Sequence, residues 1–443
     1  MTTEVTGRQI FALALPALGV LSAMPLYLML DTAVIGRLGA TELAALAAGA
    51  AVHSSLTTQL TFLSYGTTAR SARLYGAGDR RGAVAEGVQA TWLGLVVGLV
   101  LSSVVWIFAG RITLALTGGG GNGTVAADAA HWLRVAAFAI PLTLMVMAGN
   151  GWLRGIQDTR RPLYFVLGGV VPGAISIAPL VSHFGLVGSA MSNVFGMAIS
   201  ATAFVVCLIR EHEGSWSPRP SVIWSQLILG RDLILRSLSF QVAFLSAAAV
   251  AARFGTAPLA AHQIMLQLWN FITLVLDSLA IAAQALTGAA LGKGTVGVAR
   301  SVGRKVTLYS LVFAGVLAGV FALGARVIPR VFTDDAAVLQ AMAVPWWILL
   351  AMIVLGGVVF ALDGVLLGAG DAAFLRTISI GSVIFGFLPG VWISYAVGGG
   401  LPGVWLGLLA FVSLRLVAVI WRFHSMRWAV TGRVADSAKE TSR

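Results

Sequence analysis

The stretch AVIGRLGATELAA, residues 33–45, returns without a gap as AVAARFGTAPLAA at residues 249–261, 216 positions further along. At the same shift LYGAG (74–78) meets ALGKG (290–294). GWLRGIQD (151–158) then meets GVLLGAGD (364–371) at a shift of 213, and GLVG (185–188) meets GLPG (400–403) at 215. Anchors kept in one order over such a distance are a poor match to chance. One half of the chain copies the other.

The composition says what is copied. Of 443 residues 58% are hydrophobic and only 10% charged, with a mean hydropathy of +0.91; a soluble chain of this length carries far more charge. Backbone polar groups in lipid must be satisfied within the protein, and apolar runs of about 20 residues or more fit spanning helices. The ten-residue alternation of a barrel is missing. We read twelve spans, at 10–36, 42–72, 87–110, 125–153, 162–182, 185–209, 233–254, 257–291, 305–328, 336–368, 374–396 and 401–421. The second, fourth, eighth and tenth exceed what a bilayer needs and must tilt or protrude. The polar start MTTEVTGR leads into a span too long for a signal-peptide core, so the first span is expected to stay.

Six spans in each copy, an even number, send both copies into the membrane in the same direction. The expected fold is therefore an all-α integral membrane protein, twelve transmembrane helices in two parallel, pseudo-symmetric six-helix bundles. Such repeats are a transporter architecture, with the substrate site near the midplane between the halves. The expected division is an N-terminal bundle (1–210), a cytoplasmic linker (211–232) marked by charge and by Pro218 and Pro220, a C-terminal bundle (233–424) and a cytoplasmic tail (425–443).

Orientation follows from Lys and Arg. With the N-terminus inside, the inner segments hold 22 of the 29, the outer loops hold Arg37, Arg111, Arg253, Arg326 and Arg330, and Arg134 and Arg415 lie in spans. Both termini are therefore expected inside. The net charge of +12 is spread over every inner loop, as topology alone requires, so no nucleic-acid partner is expected.

Most catalytic chemistries are excluded by what is missing. A single cysteine, Cys207, rules out internal disulfides and multi-cysteine metal sites. GAALGKGT (288–295) fails as a phosphate loop by spacing and by Gly294, and the histidines show no HExxH pattern. The run GGGGNG (118–123) is an outer-loop connection. With no nucleophile paired to a base, the chain is expected not to be an enzyme and to hold no cofactor; transport would draw on an ion gradient or a partner subunit.

Asp31 is the residue that the membrane makes expensive. An ionised carboxylate in hydrocarbon costs about 2.5–3.5 kcal/mol on the insertion scale, so one kept there faces a cavity or a partner. It lies roughly 8 Å inside the outer end of its span at 1.5 Å per residue, and Pro25 six residues earlier gives the helix a hinge. A carboxyl held from water can exchange protons near neutral pH, as coupling requires; a structural acid bonded to neighbouring helices is the alternative. In the eighth span Gln263, Gln267, Asn270, Asp277 and Gln284 form a polar stripe on one helix face, lining water or binding another helix. Asp363 and Arg415, near the inner ends of their spans, read as a buried or snorkelling ion pair, with Asp363 also a pathway candidate. Asn150 is placed with the pathway, Arg134 with His131 and Asp128 at the outer mouth, and His53 and His262 are expected to be satisfied polar groups. Met24 and Tyr27 beside Asp31 would suit an amphiphilic cation.

The set DTAVIGRLGATELAA in helix 1, AARFGTAPLAAHQI and LDSLAIAAQALTGAALGKG across helices 7 and 8, and ALDGVLLGAGD in helix 10 resembles the multidrug and toxic compound extrusion (MATE) family, in its DNA-damage-inducible, DinF-like branch. The resemblance covers nearly the whole chain. It implies a V-shaped pair of six-helix bundles exporting organic compounds by alternating access in exchange for protons or sodium. It also implies a bacterial inner-membrane monomer whose partners are small organic molecules and the bilayer. Asp31 matches the branch's helix 1 protonation site, and helix 1 bending at a proline suits Pro25. The chain departs from the family in helix 5, where GGVVPGAISIAPLVSHFG (168–185) lacks the usual Asn and Asp and Ser176 is the one polar side chain in the middle. Two rivals stand beside this reading: a flippase for a lipid-linked precursor, and a major-facilitator transporter suggested by YGAGDRRGA (75–83).

Overall fold

The computed structural model of the protein describes residues 5–117 and 123–431; the GGGGNG run before Gly123 and the tail after residue 431 lie outside the described residues. Every regular element among the described residues is helical. The first half forms α1 (Gly7–Ile35), α2 (Ala40–Gln59), α3 (Phe62–Gly76), α4 (Arg80–Leu116), α5 (Gly123–Ala136), α6 (Ala139–Gly155), α7 (Arg160–Phe184) and α8 (Leu186–Glu211). The second forms α9 (Pro220–Arg253), α10 (Thr256–Gly292), α11 (Val296–Leu323), a short α12 (Ile328–Phe332), α13 (Ala336–Gly368), α14 (Ala372–Ser382), α15 (Leu388–Ala396) and α16 (Gly400–Ser425). A π turn, Val383–Phe387, joins α14 to α15, where Pro389 removes one rung of the helical ladder.

Ten helices are long and apolar enough to cross a membrane, α14 and α15 counting as one, and α5 with α6, bent by 44°, makes an eleventh. The second expected span is the exception. It is broken at Leu60 and Thr61 into α2 and α3, and it carries His53, Gln59 and Arg70 among its threonines and serines. The longest helices, α4 and α10, have 37 residues each, about 55 Å at 1.5 Å per residue; α10 keeps the bounds expected for the eighth span, whereas α4 outruns the expected 87–110 at both ends. The start of α4 is extended into polar sequence because Asp79 caps it, its Oδ1 accepting from the Gly82 backbone N–H at 2.8 Å.

The chain divides into two compact units, residues 15–230 in one and residues up to Ala14 with those from Arg231 in the other. The division falls inside α1 and α9. The segment expected as a linker is irregular only from His212 to Arg219, because Pro220 begins α9 with its φ already set for a helix. That short connection is fastened to α4. Trp92 Nε1 donates to the Trp216 carbonyl at 2.7 Å, and Gln89 both donates to the Ser217 carbonyl and accepts from the Arg219 N–H at 2.6 Å. Below it, Glu86 accepts two bonds from Arg70, at 2.8 and 2.9 Å, and one from Gln226 of α9.

The sequence repeat is a repeat of packing. In one unit Gly151 and Gly155 lay α6 against α3; a Cβ on Gly151 would meet the Ser64 carbonyl oxygen at 2.9 Å, and one on Gly155 the Ala72 nitrogen at 2.9 Å. In the other unit their copies, Gly364 and Gly368, lay α13 against α10, where a Cβ would meet Ala280 Cα at 2.7 Å and Gln284 Cα at 3.0 Å. The partner Ala280 lies 216 residues after Ser64, so the two seams correspond on both sides. Small residues let helix backbones approach in lipid, where no hydrophobic drive separates helix from tail.

Filling these seams forces helix backbones apart. Gly151→Val and Gly364→Val are each expected to lower stability by about 1–3 kcal/mol, whereas Gly315→Val and Gly319→Val, with open space around them, should melt as wild type. Thermal unfolding of the four purified variants in detergent checks this.

Candidate functional site

The acid of α1 is almost fully enclosed within the unit of residues 15–230, at 3% exposure. One carboxyl oxygen, Oδ2, accepts a hydrogen bond from Ser189 Oγ of α8 at 2.7 Å. Ser189 in turn accepts from Trp132 Nε1 of α5 at 3.2 Å. The other oxygen, Oδ1, is buried with no hydrogen-bond partner. Among the described residues no Lys, Arg or His forms an ion pair with Asp31.

One turn earlier on α1, Tyr27 donates its hydroxyl to Ser192 Oγ at 3.1 Å, and Ser192 donates to the Gly173 carbonyl of α7 at 2.5 Å. Ser176 donates to the same carbonyl at 2.8 Å and lies 3.0 Å from Ser192 Oγ. The helices come this close because α7 presents Gly173 to Gly196 of α8, backbone to backbone. Beside Tyr27 lies a small cleft of about 10 Å³, room for about one water, lined by Met24, Val170, Asn193 and Met197, and Asn193 Oδ1 is buried there without a partner. α1 runs unbroken through Pro16 and Pro25. Pro25 supplies no N–H to the Leu21 carbonyl one turn before it, which makes that turn the soft point of the helix.

Ser189, Ser192 and Asn193 are the members of this cluster that the sequence reading missed. Their spacing, SAMSN between Gly188 and Gly196, places them on one face of α8, and that polar face in an apolar run was the available signal. Ser189 and Ser192 bring hydroxyls from α8 to the Asp31 and Tyr27 side chains of α1. Asn150 is buried in α6 with Oδ1 unpartnered, and no hydrogen bond joins it to the Asp31 cluster. His53 and His262 depart from expectation. His53 Nε2 and both ring nitrogens of His262 are buried without hydrogen bonds, and each imidazole instead sets its edge against an indole, Trp132 at 6.3 Å and Trp405 at 5.8 Å. Arg134 lies over the Trp106 ring, 5.9 Å from its centroid.

In the other unit the polar stripe of α10 is graded. Gln263, Gln267 and Asn270 are exposed, Asp277 is half-buried, and Gln284 is enclosed. Asp363 of α13 does not stand open in a pathway. Its Oδ2 accepts from Arg236 of α9 at 2.6 Å and from Arg415 of α16. Phe240 lies under both guanidinium groups, 5.1 Å from Arg236 and 4.7 Å from Arg415. The expected pair is thus a triad, its second arginine, Arg236, coming from α9.

A family model for MatE matches residues 16–180 and 233–392, one segment in each copy of the repeat. The chain belongs to the MatE family. It is therefore a multi-pass membrane transporter of the multidrug and toxic compound extrusion type. Protein DETOXIFICATION 43 of Arabidopsis thaliana is 27% identical over 453 residues, 86% of this chain and 85% of its own. DNA damage-inducible protein F of Escherichia coli K12 is 29% identical over 434 residues, 94% of this chain and 92% of its own, in agreement with the DinF-like branch. Among solved structures the Vibrio cholerae MATE transporter VcmN shares the fold, with a TM-score of 0.86 at 19% identity over 95% of this chain and 98% of that one.

Asp31 and Asp363 of this MatE chain predict opposite responses to removal of charge. Asp363→Ala leaves the buried Arg415 and the partly buried Arg236 uncompensated and is expected to cost about 3–5 kcal/mol. Asp31→Asn keeps the volume and still accepts from Ser189, so its melting temperature should stay close to wild type. Side-by-side thermal unfolding in one detergent reads the difference.

Proposed function

We propose that this protein exports amphiphilic organic cations in exchange for protons by alternating access, with Asp31 as the proton-coupling residue. The observation that carries the reading is the state of the Asp31 carboxyl: one oxygen committed to Ser189, the other bare, and no cation paired with it. An ionised acid so placed has nothing nearby to offset its charge, and a single proton removes that charge. The bare oxygen takes a proton without further ligands, whereas a sodium ion needs a shell of several oxygens.

Gain and loss of that proton would act on α1 at its weakest turn, that of Pro25, and on the Tyr27–Ser192–Ser176 hydroxyls that fix α1 to α7 and α8. Met24, Tyr27 and Met197 beside the cleft supply adaptable apolar and aromatic contacts for a cation. In the other unit, the exposed Gln263, Gln267 and Asn270 of α10 with Asp277 are proposed to line the substrate path, because a polar helix face is poorly suited to lipid. The surplus of Lys and Arg on one side supports both termini being cytoplasmic, in a bacterial inner membrane. The protein is proposed to work as a monomer, with no cofactor beyond the coupling ion.

The test is transport of a fluorescent organic cation by proteoliposomes under a pH gradient or a sodium gradient alone, for wild type and Asp31→Asn. A pH gradient should suffice, and Asp31→Asn should abolish transport while retaining substrate binding. Transport driven by sodium only, or undiminished in Asp31→Asn, overturns the coupling assignment; efflux of anions alone overturns the cation preference.

A further inference from the structure

The end of α11, the short α12 and the first turns of α13 border an open cavity of about 310 Å³ that has no part in the function proposed above. This is the low end of the range for small-ligand sites, roughly 300–1,000 Å³. Arg326 and Arg330 stand at it together with Pro329, Met342, Trp346 and Trp347. Neither guanidinium has an ion pair or hydrogen bond among the described residues, and no carboxylate lines the cavity. Of the two nearest acids along the chain, Asp335 is committed to capping α13, accepting from the Ala337 N–H at 2.8 Å, and Asp334 is exposed and does not line the cavity.

Two unpaired arginines on one cavity call for an anion, and guanidinium groups are the side chains best matched to phosphate. On the proposed orientation only five of the 29 basic residues lie in outer loops. Of these, Arg111 rests on the Phe108 ring and Arg253 on Trp392 and Tyr395, while Arg326 and Arg330 share this site.

The surroundings say what carries the anion. Leu323 is 91% exposed, Val331 76% and Val327 66%, a belt of apolar surface directly beside the arginines. Trp347 is exposed at the rim, whereas Trp346 is fixed, stacked on Phe321 at 5.7 Å and donating its Nε1 to the Phe321 carbonyl. Tryptophan and arginine above a belt of bare aliphatic side chains mark the level where hydrocarbon gives way to headgroups. We propose that this cavity binds the phosphate headgroup of an anionic membrane lipid, its acyl chains lying along the exposed face of α11 and α12. A free phosphate ion would satisfy the arginines but leave the apolar belt without a role.

Native mass spectrometry of the full-length protein, titrated with phosphatidylglycerol, phosphatidylcholine or inorganic phosphate, tests this. Wild type should retain a phosphatidylglycerol with a preference of about tenfold or more over phosphatidylcholine, as two surface arginines imply. The double variant Arg326→Gln/Arg330→Gln should lose that preference, Arg326→Lys/Arg330→Lys should keep most of it, and Arg37→Gln should behave as wild type. Equal phosphatidylglycerol binding by wild type and the double Gln variant overturns the site. Arginine-dependent retention of inorganic phosphate with no preference between the two lipids overturns the lipid assignment. The lysine variant separates loss of charge from loss of fold.

Discussion

Backbone-to-backbone contact at Gly151 and at Gly364 holds α6 on α3 and α13 on α10, and the rest of each unit is arranged around these seams. In lipid, apolar side chains gain nothing by leaving the tails for one another, so close packing and hydrogen bonding must supply the association. A side chain at either position would force the helices apart. In the first unit the same seam carries Thr68, whose hydroxyl donates to the Gly151 carbonyl at 3.1 Å, and Ser71, which donates to the Trp152 carbonyl. Hydroxyls of this kind add polar attraction where the glycines permit contact.

Polar groups off these seams are handled in two ways. Asp363 sits between two guanidinium groups, themselves resting on Phe240, so its charge is compensated at fixed geometry. Breaking such a cluster is costly because it strands the remaining charges. Asp31 has a hydroxyl and no cation, so its charge state is not locked by a partner. The two carboxyls look alike in the sequence, each a single acid in an apolar run. Their environments differ: one is paired with two guanidinium groups, the other with a single hydroxyl.

Much of the fold was legible because its causes are periodic. Twelve apolar runs, a repeat kept in one order, and a Gly-x-x-x-Gly in each copy are patterns along one chain, and the seams fall where those glycines do. The burial of Asp31 was legible because charge in an apolar run has few explanations. Its partners were not, because serine in a helix can bond its own preceding turn, as Thr67 does to the Leu63 carbonyl; nothing in the sequence distinguishes that from Ser189 reaching across to α1. Arg236 was hidden by its position near the start of the seventh span, where a topological charge and a structural one look the same. His53 and His262 misled because a buried imidazole ordinarily finds a hydrogen bond, and here an indole edge takes its place. The linker misled at Pro220, a residue that ends helices in mid-run and starts them at the first turn.

The direction of the hydrogen bonds at Asp31 has a consequence for traffic. Trp132 donates to Ser189 and Ser189 donates to Asp31, so every hydrogen in that chain points towards the acid. An indole nitrogen can give a hydrogen bond and cannot accept one. The chain therefore ends in a wall: a proton arriving at the carboxyl cannot be handed on through Ser189 to Trp132. On the proposed coupling role, exchange would be left with a single door, the bare Oδ1, and whatever uncovers or covers that one atom would govern the entry and exit of the proton.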